Sequence, residues 1–421
     1  MPSLFPSAAL LRLAQPARIA GRRYLTSSAH PSLTVHRPTA DSLGAAAVSK
    51  EGPAFCFDID GVLKQGEHVL PQAKQVMQIL SGNNPLKKKY PFICLTNGGG
   101  SLELDRSKKL TKELGVVIAE HQVVQSHTIF RSLVPQYGDK PVLVVGGNSD
   151  RCRRVAQAYG FKHAYIPADV IAWAPSIWPY HKLTEKEMTY IKQADFSTIP
   201  FAAVLVFHDS RDWGRDIQLT LDLVRSQDGV FGTLKDHKDA SLFTKDKQLP
   251  VHFSNPDLLW GNEFSQSRFG QGALQESIAA VYKLTTGYEL HRYTGGKPIQ
   301  ATYDYASNLL NSAIEAEETG KPIDLHGQGA KPKNYKGRVY MVGDNPASDI
   351  AGANNFGWES ILLQTGVFRG SKAEEAEHVP TVVKRDVLEG IKWALEREGE
   401  GAALGNIAPQ HETVTHDGPR E

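Results

Sequence analysis

The sequence predicts an α/β fold, in which a Rossmann-like parallel sheet carries a second, inserted α/β domain. Short apolar runs of the kind that form buried parallel strands alternate along the chain with amphipathic helical segments. Two of these runs, which begin at Phe55 and Val339, end in acidic residues. Because ligands of open α/β sheets bind at the carboxyl ends of the strands, these two ends mark the expected functional edge.

The elements are expected in a regular order. Strands are predicted where the runs are most apolar, at 55–58, 91–95, 142–147, 202–207, 339–343 and 360–364, the last of these closing the sheet. Helices are predicted where apolar residues recur with helical spacing or a proline opens the segment, at 71–80, 102–114, 151–159, 216–226, 274–284, 299–310 and 385–397.

These elements divide the chain into domains. Residues 49–126 and 269–398 are predicted to form the main parallel-sheet domain, with residues 127–268 as the inserted α/β domain. The proline- and aromatic-rich stretch 165–200 is expected to be irregular, and the polar segment 311–336 to be a surface excursion.

The two ends of the chain are expected to lie outside the fold. Residues 1–48 include Arg12, Arg22 and Arg23, are hydroxyl-rich near their middle, and contain no acidic residue before Asp41. That composition predicts a mitochondrial transit peptide and hence a mitochondrial, matrix location, with a disordered basic tail as the alternative. The carboxyl-terminal residues 399–421 lack periodicity and are predicted to be disordered.

The composition argues against several classes of protein. A formal net charge of +1 gives no reason to expect a nucleic-acid partner. The three cysteines, Cys56, Cys94 and Cys152, are too few and too scattered for a disulfide framework or a zinc site. The first two lie in apolar runs, which predicts buried thiols. No stretch approaches the length of a membrane span, so no transmembrane segment is expected.

Asp58 and Asp60 follow the first apolar run, two residues apart and next to Gly61. Two carboxylates at a sheet edge are costly unless a cation neutralises them, and Mg2+ is a hard cation that carboxylate and phosphate oxygens favour. Asp344 and Asp349 follow the later run, and carboxylates from two strand ends can share one Mg2+ that keeps several waters. An acidic turn without a ligand is the alternative for the first motif taken alone.

Two further motifs offer groups to an anion. Thr96 and Asn97 follow the second apolar run and precede three glycines, so that side-chain and backbone donors can meet an anion there. Lys297 precedes Pro298, which opens a predicted helix, so its ammonium is expected near the positive end of that helix. Each motif alone also fits an ordinary turn.

Taken in order, these motifs resemble those of the haloacid dehalogenase-like hydrolases. The large insertion between the second and third motifs resembles the cap of subfamily IIA (the C2-capped enzymes), which includes nitrophenylphosphatase-like proteins. Phe-Asp-Ile-Asp-Gly-Val-Leu and Gly-Asp-Asn-Pro-x-Ser-Asp resemble the mitochondrial cat-eye-syndrome-critical-region branch of that subfamily. The resemblance covers about residues 54–395. The motifs that carry it are Asp58-Ile59-Asp60-Gly61, Thr96-Asn97, Gly-Lys297-Pro and Gly343-Asp344 with Asp349.

The resemblance implies catalytic and metal-binding roles for four aspartates. Asp58 would be the nucleophile that forms an aspartyl-phosphate, and Asp60 the general acid and base. The resemblance also assigns Mg2+ to Asp58, Asp60, Asp344 and Asp349. Asp60 would reach the metal through its backbone carbonyl, which leaves its carboxyl free to hold a proton, and Asp349 would lie in or next to the coordination shell.

The resemblance implies further roles around the phosphate. Thr96 and the amide of Asn97 would bind the transferring phosphoryl oxygens. Lys297 would neutralise both the nucleophile and the phosphate, which makes it catalytic as well as phosphate-binding. Asn255 and Asp257 match the Asn-x-Asp motif of the cap and would face the substrate, so that they contribute to specificity.

A Mg2+-dependent phosphatase acting on a small phosphorylated substrate is the favoured function. A mitochondrial interaction protein that retains the site as a structural metal clamp is the runner-up, and a phosphomutase-like transferase is third. By resemblance, the branch is grouped with enzymes of mitochondrial glycerophospholipid synthesis, which implies a glycerol-phosphate headgroup as a candidate substrate. The oligomeric state, a homo-oligomer included, is left open by the sequence.

Overall fold

The structure is a computed structural model that describes residues 52–260, 264, 266–323, 325, 335 and 337–405. The predicted transit peptide (1–48) and the part of the predicted tail beyond residue 405 lie outside the described residues. Among the described residues, no helix is both long and apolar enough to cross a membrane.

The strands of the described residues, in chain order, are β1 (Ala54–Phe57), β2 (Lys64–Gln65), β3 (His68–Val69), β4 (Phe92–Leu95), β5 (Val123–Val124), β6 (Val142–Val145), β7 (Ala164–Tyr165), β8 (Ala203–Val206), β9 (Val251–Phe253), β10 (Leu259–Trp260), β11 (Arg268–Phe269), β12 (Arg292–Thr294), β13 (Val339–Gly343), β14 (Glu359–Leu363) and β15 (Val382–Lys384).

The α-helices of the same residues are α1 (Pro71–Leu80), α2 (Glu103–Leu114), α3 (Val134–Tyr137), α4 (Arg151–Tyr159), α5 (Pro167–Trp173), α6 (Glu185–Met188), α7 (Trp213–Val224), α8 (Gln271–Thr286), α9 (Gln300–Thr319), α10 (Ala351–Phe356) and α11 (Val387–Arg397). A π-helical turn, Pro346–Ile350, leads into α10. Short 3-10 turns lie at Glu120–Gln122, Ser126–Leu133, Pro175–Ile177, Ala240–Phe243, Ala373–Glu375 and Gly401–Leu404.

A six-stranded parallel sheet in the order β15-β14-β13-β1-β4-β5 forms the core domain. Its strand β1 is apolar on both faces, and side chains alternate between the faces of a strand. Phe55 and Phe57 pack with α1, α2 and α11 on one side, whereas Cys56 packs with α9 and α10 on the other. Helices therefore cover both faces, and the continuous apolar run is a consequence of that burial.

A second parallel sheet, in the order β12-β9-β8-β6-β7, forms the cap domain, which runs from β6 to β12. Residues of α7 and α8 pack on one face of this sheet, and residues of α4 pack on the other. The chain leaves the core sheet after β5 and returns to it at β13. The predicted fold class, a parallel-sheet core with an inserted α/β cap, is confirmed.

The cap domain extends further along the chain than the sequence predicted. Its strand β12 pairs in parallel with β9, and α8 buries Leu274, Ile278 and Tyr282 in the cap core. The prediction that residues 269–294 belong to the main domain is therefore wrong. β12 escaped prediction because its three residues are polar or aromatic and only half-buried, so they form no apolar run.

The edges of the core domain also differ from prediction. The sheet does not end at 360–364, because β15 pairs with β14 and adds an edge strand. Helix α9 continues to Thr319, into the segment that was expected to be an excursion. Residues 399–405, predicted to be disordered, contain the turn Gly401–Leu404, whose Ala403 is fully buried in the core.

The stretch 165–200 is less irregular than predicted. It contains α5, in which Val170 and Ile171 are buried, and its aromatic residues Tyr165 and Trp173 pack against the cap core. Packing against the cap core accounts for these two aromatic residues, whereas Tyr180 of the same stretch is exposed. Helix α5 was missed because its seven residues are too few to show the helical spacing on which the prediction rests.

Glu103, the first residue of α2, ties the core domain to the segment that leads into the cap. It is 3% exposed and accepts hydrogen bonds from Thr128 Oγ1 at 2.7 Å, from Arg131 Nη2 at 3.1 Å and from the Tyr159 hydroxyl. Burial alone raises the pKa of Glu103, but His127, Arg131 and these hydrogen bonds outweigh it and lower that pKa. The carboxylate is thus the shared acceptor of a junction built from both domains.

Replacement of Glu103 by alanine is expected to lower the free energy of unfolding by about 3–5 kcal/mol, because it leaves the Arg131 charge half-buried without its partner. Urea denaturation measures the loss. The matched control is Glu289→Ala, which removes an exposed ion pair with Lys283 and is expected to cost about 0–1 kcal/mol. Equal losses in the two variants would contradict the assigned role of the junction.

Candidate active site

Side chains from the ends of three neighbouring core strands meet at one edge of the sheet. Asp58 follows β1, Thr96 follows β4 and Asp344 follows β13, and β1 lies between the other two strands. Because all three strands are parallel, their carboxyl ends lie side by side. The register of the sheet therefore brings together motifs that are far apart in the chain.

Three aspartates form an acidic cluster at this edge. Asp58, Asp344 and Asp349 each present a carboxylate oxygen within 4.8 Å of the others. Asp349 is fully buried and Asp344 is 3% exposed. Burial raises the pKa of Asp344 well above its usual value, and the charges of Asp349 and Asp58 raise it further. Buried carboxylates that repel one another in this way are the expected donors of a cation site.

Lys297 brings a compensating charge to the acidic cluster. Its Nζ lies 2.9 Å from Asp58 Oδ1 and 2.6 Å from Asp349 Oδ1, and the residue is 1% exposed. Burial alone lowers the pKa of Lys297, but the charges of Asp349 and Asp58 outweigh it and raise that pKa well above its usual value. One ammonium against three carboxylates leaves two negative charges, which a divalent cation would neutralise.

Asp349 is held by donors on both of its oxygens. Oδ1 accepts from Lys297 Nζ, and Oδ2 accepts from the backbone N–H groups of Asp344 and Asn345, each at 3.1 Å. The Tyr303 hydroxyl donates to the backbone carbonyl of Asp349 at 3.2 Å. These contacts fix Lys297 and the loop after β13, so Asp58 and Asp344 are the more open donors for a metal.

The side chain of Asn97 holds the backbone of Lys297. Its Nδ2 donates to the Lys297 carbonyl at 3.0 Å, and its Oδ1 accepts from the Lys297 N–H at 2.8 Å. The Asn255 side chain of the cap donates in turn to the Asn97 carbonyl at 3.0 Å. The side-chain amide of Asn97 is therefore engaged with the lysine loop, and its backbone N–H takes no part in that pairing.

Asp257 follows Asn255 in the loop after β9 and shares its environment with the acidic cluster. Burial raises the pKa of Asp257 to about 7, although Lys297 and Asn97 oppose the rise. The loop lies close against the start of α8, because a Cβ on Gly270 would lie 2.5 Å from the Asp257 carbonyl oxygen. The cap motif is thus brought to the core site by close backbone packing that only glycine permits.

Asp60 lies apart from the acidic cluster. Its Oδ2 lies 3.9 Å from Arg106 Nη2, and 43% of its side chain is exposed. Desolvation of the buried part of the Asp60 side chain raises its pKa, and the charge of Arg106 partly opposes the rise. Near it, the Thr96 hydroxyl oxygen accepts from the Gly98 N–H at 2.9 Å. A carboxyl with a raised pKa that stands clear of the cation site is suited to donate and accept a proton.

The structure adds residues that sequence reasoning did not single out. Arg106 beside Asp60 lies on α2, where it is one of several basic residues on an amphipathic helix and carries no distinguishing signal. Gly366 packs so closely on Asp344 that a Cβ would lie 1.8 Å from Asp344 Oδ2. Tyr303 belongs to α9, whose apolar spacing predicts only that it is buried. Of Arg106, Gly366 and Tyr303, only Gly366 has a residue type that indicates its role, because a glycine often marks a point where another group packs closely on the backbone.

Comparisons with known proteins agree with this geometry. A family profile described as haloacid dehalogenase-like hydrolase matches residues 55–162, and a second, HAD-hydrolase-like profile matches residues 294–390. The two matches include both strand ends of the acidic cluster and Lys297.

Two curated relatives are similar over most of the chain. A Saccharomyces cerevisiae protein named as a mitochondrial hydrolase is 38% identical over 353 residues, which are 82% of this chain and 96% of that protein. A Schizosaccharomyces pombe protein named as a fusion of CMP-forming cardiolipin synthase with a mitochondrial hydrolase is 39% identical over 354 residues. The match covers 83% of this chain and 54% of the fusion protein.

Solved structures share the fold at low sequence identity. A hypothetical protein from Pyrococcus horikoshii is 20% identical with a TM-score of 0.51, and the match covers 81% of this chain and 98% of that one. A p-nitrophenyl phosphatase from Archaeoglobus fulgidus is 16% identical with a TM-score of 0.50, covering 82% and 99% of the two chains. At these identities the similarity is one of fold.

Replacement of Asp257 by asparagine is expected to flatten the pH dependence of stability. The pKa of this carboxyl rises from about 3.9 in the unfolded chain to about 7 in the folded protein. The folded state therefore binds the proton more tightly, and this group's contribution to stability falls as pH rises through that window. Urea unfolding across the window measures the slope.

The control for this experiment is Asp228→Asn at an exposed position, which is expected to retain the wild-type slope. If Asp257→Asn also retains that slope, the environment assigned to the cap motif is wrong.

Proposed function

The chain belongs to the haloacid dehalogenase-like hydrolases, and from this premise we propose that it is a Mg2+-dependent phosphatase that works through an aspartyl-phosphate. The observation that carries the proposal is the meeting of Asp58 with Lys297, Asp344 and Asp349 at the carboxyl edge of the core sheet. Asp60, two residues from Asp58, adds a carboxyl with a raised pKa on the open side of the same site.

The donor set fits a Mg2+ ion. Carboxylate oxygens are the ligands that this ion prefers, and the cluster carries two more negative charges than Lys297 compensates. Asp58, Asp344 and the backbone carbonyl of Asp60 would hold the ion, with Asp349 beside it as the group that fixes Lys297. When bound, the ion neutralises the carboxylates and withdraws charge from the phosphoryl group.

The proposed chemistry uses Asp58 as nucleophile. A carboxylate oxygen of Asp58 attacks phosphorus, the bond from phosphorus to the ester oxygen breaks, and that oxygen takes the proton from Asp60. Asp60, now ionised, removes a proton from water as the water attacks phosphorus. The bond between Asp58 and phosphorus breaks, and inorganic phosphate leaves. Asp60 is then protonated and Asp58 ionised, as at the start, and the net change is the hydrolysis of the ester.

We expect three groups to hold the phosphoryl oxygens. The Thr96 hydroxyl and the backbone N–H of Asn97 lie at the end of β4, beside the nucleophile, and the Lys297 ammonium contacts Asp58 directly. Preorganised donors of this kind stabilise charge that develops on the phosphoryl oxygens in the transition state. The buried position of Lys297 supports this role, because its charge is screened little by water.

Substrate selection is proposed to lie with the cap domain. Asp257 is the ionisable group of the cap motif and interacts with both Lys297 and Asn97, whereas the side chain of Asn255 donates to the Asn97 carbonyl. Asn255 would then contribute to specificity indirectly, by holding the cap motif over the site.

A mitochondrial location, in the matrix, is proposed for this chain as well. Both relatives carry the word mitochondrial in their names, and the fusion of one of them to a cardiolipin synthase supports a link to glycerophospholipid metabolism. An interaction protein that retains the metal site remains the competing function. The position of Asp60 favours the enzyme, because a structural clamp has no use for a carboxyl held clear of the metal donors.

The chemistry is tested by phosphate release from a panel of phosphate esters in the presence of Mg2+. Asp58→Asn is expected to abolish release, because it removes the nucleophile. Asp60→Asn is expected to lower kcat by about 10²–10⁴-fold, because it removes the general acid. The exposed control Asp228→Asn should match wild type. Absence of release from folded wild-type protein across the panel would favour the interaction protein.

The metal site is tested by thermal unfolding with and without Mg2+. A ligand that binds only the folded state stabilises it by about 2.7 kcal/mol at a hundred times its Kd, so Mg2+ is expected to raise the Tm of wild type. Asp344→Asn is expected to raise the Tm of the metal-free protein, because it removes buried like-charge repulsion. In that variant Mg2+ should produce little further rise. An equal Mg2+ shift in both proteins would rule out the assigned donors.

A further inference from the structure

A cavity of about 240 Å³ lies between the core and cap domains. Its core wall is formed by the loop after β4 and by α2, which contribute Arg106 and Lys109. Its cap wall is formed by the loops after β6 and β8 and the start of α4, which contribute Arg151 and Arg211. Four cationic side chains from two domains thus line one space.

Within the described residues, carboxylates lie near Arg106 and Lys109, but none forms an ion pair with Arg151 or Arg211. Asp105 is the acidic residue of the cavity lining, and Lys109 lies 3.5 Å from Glu67 and 3.8 Å from Glu113. The charge of Arg211 acts on the Asp209 carboxyl, but the two side chains lie beyond ion-pair distance. Among the described residues, Arg151 and Arg211 have no carboxylate within 4.0 Å, so both charges are free to meet a ligand.

His208, on the same wall, is an uncharged partner of Arg211. Arg211 Nη2 lies 3.3 Å from His208 Nε2, an arrangement in which the arginine donates and the imidazole accepts. Burial, and then the charge of Arg211, lower the pKa of His208 to about 3, so the ring is neutral at pH 7. His208 also packs against the core, since a Cβ on Gly100 would lie 2.6 Å from its ring. His208 therefore fixes one point of the wall against the core and holds the Arg211 side chain by a hydrogen bond.

The cavity opens on the side of the site where the leaving group must lie. Arg106 lines it and lies 3.9 Å from Asp60 Oδ2. In the proposed reaction Asp60 protonates the ester oxygen, so the rest of the leaving alcohol extends from Asp60 away from Asp58. Arg106 lies beside Asp60 and lines the cavity, and Arg151 and Arg211 line the same cavity from the cap wall.

We propose that this enzyme acts on phosphate monoesters whose alcohol carries a second anionic group, a phosphate or a carboxylate, and that Arg151 and Arg211 bind that group. The inference rests on the proposed phosphatase function and names its substrate class. The second anion is either part of a soluble bisphosphate or the phosphodiester of a lipid headgroup, since both present the same charged oxygens to the arginines.

The test compares substrates that differ only in the second anion. Wild-type kcat/KM is measured for 1,3-propanediol monophosphate, for its bisphosphate, and for a dispersed lipid whose headgroup holds a phosphodiester and a terminal phosphomonoester. The bisphosphate is expected to exceed the monophosphate by about tenfold or more, which corresponds to about 1.4 kcal/mol of differential binding. This is well above the factor of two that its two equivalent ends supply. A still higher value for the lipid would identify the headgroup as the source.

Two variants and a control assign the effect to the cavity. Arg151→Gln and Arg211→Gln are each expected to lower the ratio of bisphosphate to monophosphate kcat/KM toward the statistical factor of two, because each removes a charge-assisted hydrogen bond to the second anion. Arg154→Gln on the same helix replaces an exposed arginine that pairs with Asp150 and lies outside the cavity, and it should retain the wild-type ratio. A wild-type ratio near two, or a ratio that survives both cavity variants, overturns the inference.

Equilibrium binding separates failure of this inference from failure of the phosphatase function. Calorimetry with Asp58→Asn protein is expected to show tighter binding of the bisphosphate than of the monophosphate, and loss of the difference when Arg211→Gln is added. That result with no turnover by wild type would reject the phosphatase and keep the anion site. Equal binding of the two ligands would reject the anion site, whatever the turnover.

Discussion

The ion pair of Lys297 with Asp58 and Asp349 is the interaction on which the rest of the site depends. Three carboxylates cannot share a buried sheet edge without a positive charge, because desolvation and mutual repulsion both oppose their ionisation. Lys297 supplies that charge from the connection between the cap and α9, on the far side of the cap from Asp58 in the chain. The active site therefore combines residues from both of the chain segments that flank the cap.

Asn97 and Asn255 connect the position of Lys297 to the contact between the two domains. Asn97 holds the lysine backbone with both ends of its amide, and Asn255 holds the backbone of Asn97 from the cap side. Both groups are buried, so an unmade bond would leave a polar group without a partner. Cap position, lysine position and nucleophile are thus fixed together, and a cap displaced from the core would also disturb the charge balance at Asp58.

The facing of the two sheets explains where the chemistry and the selectivity lie. Both sheets are parallel, and both turn the loops at the carboxyl ends of their strands toward the space between the domains. The core loops carry carboxylates and one buried ammonium, which suits the phosphoryl group and its metal. The loops and helix of the cap wall carry arginines, which suits a charged leaving group. One interface can therefore hold two anionic groups of a substrate at different positions without bringing them into contact.

The core fold and most of the site could be predicted because their signals are local. Buried parallel strands are apolar on both faces, so β1, β4 and β13 stand out as runs, and the residue that follows each run lies at the functional edge whatever the rest of the chain does. The aspartates at 58, 60 and 344 and the threonine at 96 were found in this way. The family resemblance then supplied an expectation for Lys297, which its own short motif does not distinguish from a turn.

What only the tertiary structure decided are the pairings made across the chain. Asn97 and Lys297 lie 200 residues apart, and no sequence pattern indicates that the asparagine side chain hydrogen-bonds the lysine backbone. β12 joins the cap sheet by pairing with β9, which its own composition does not indicate. Arg106, Arg151 and Arg211 are neighbours because the two sheets face each other. Local sequence determines which residues end a buried strand, because a strand that is buried on both faces consists of apolar residues. It does not determine which distant charges meet, since that depends on sheet register and domain placement.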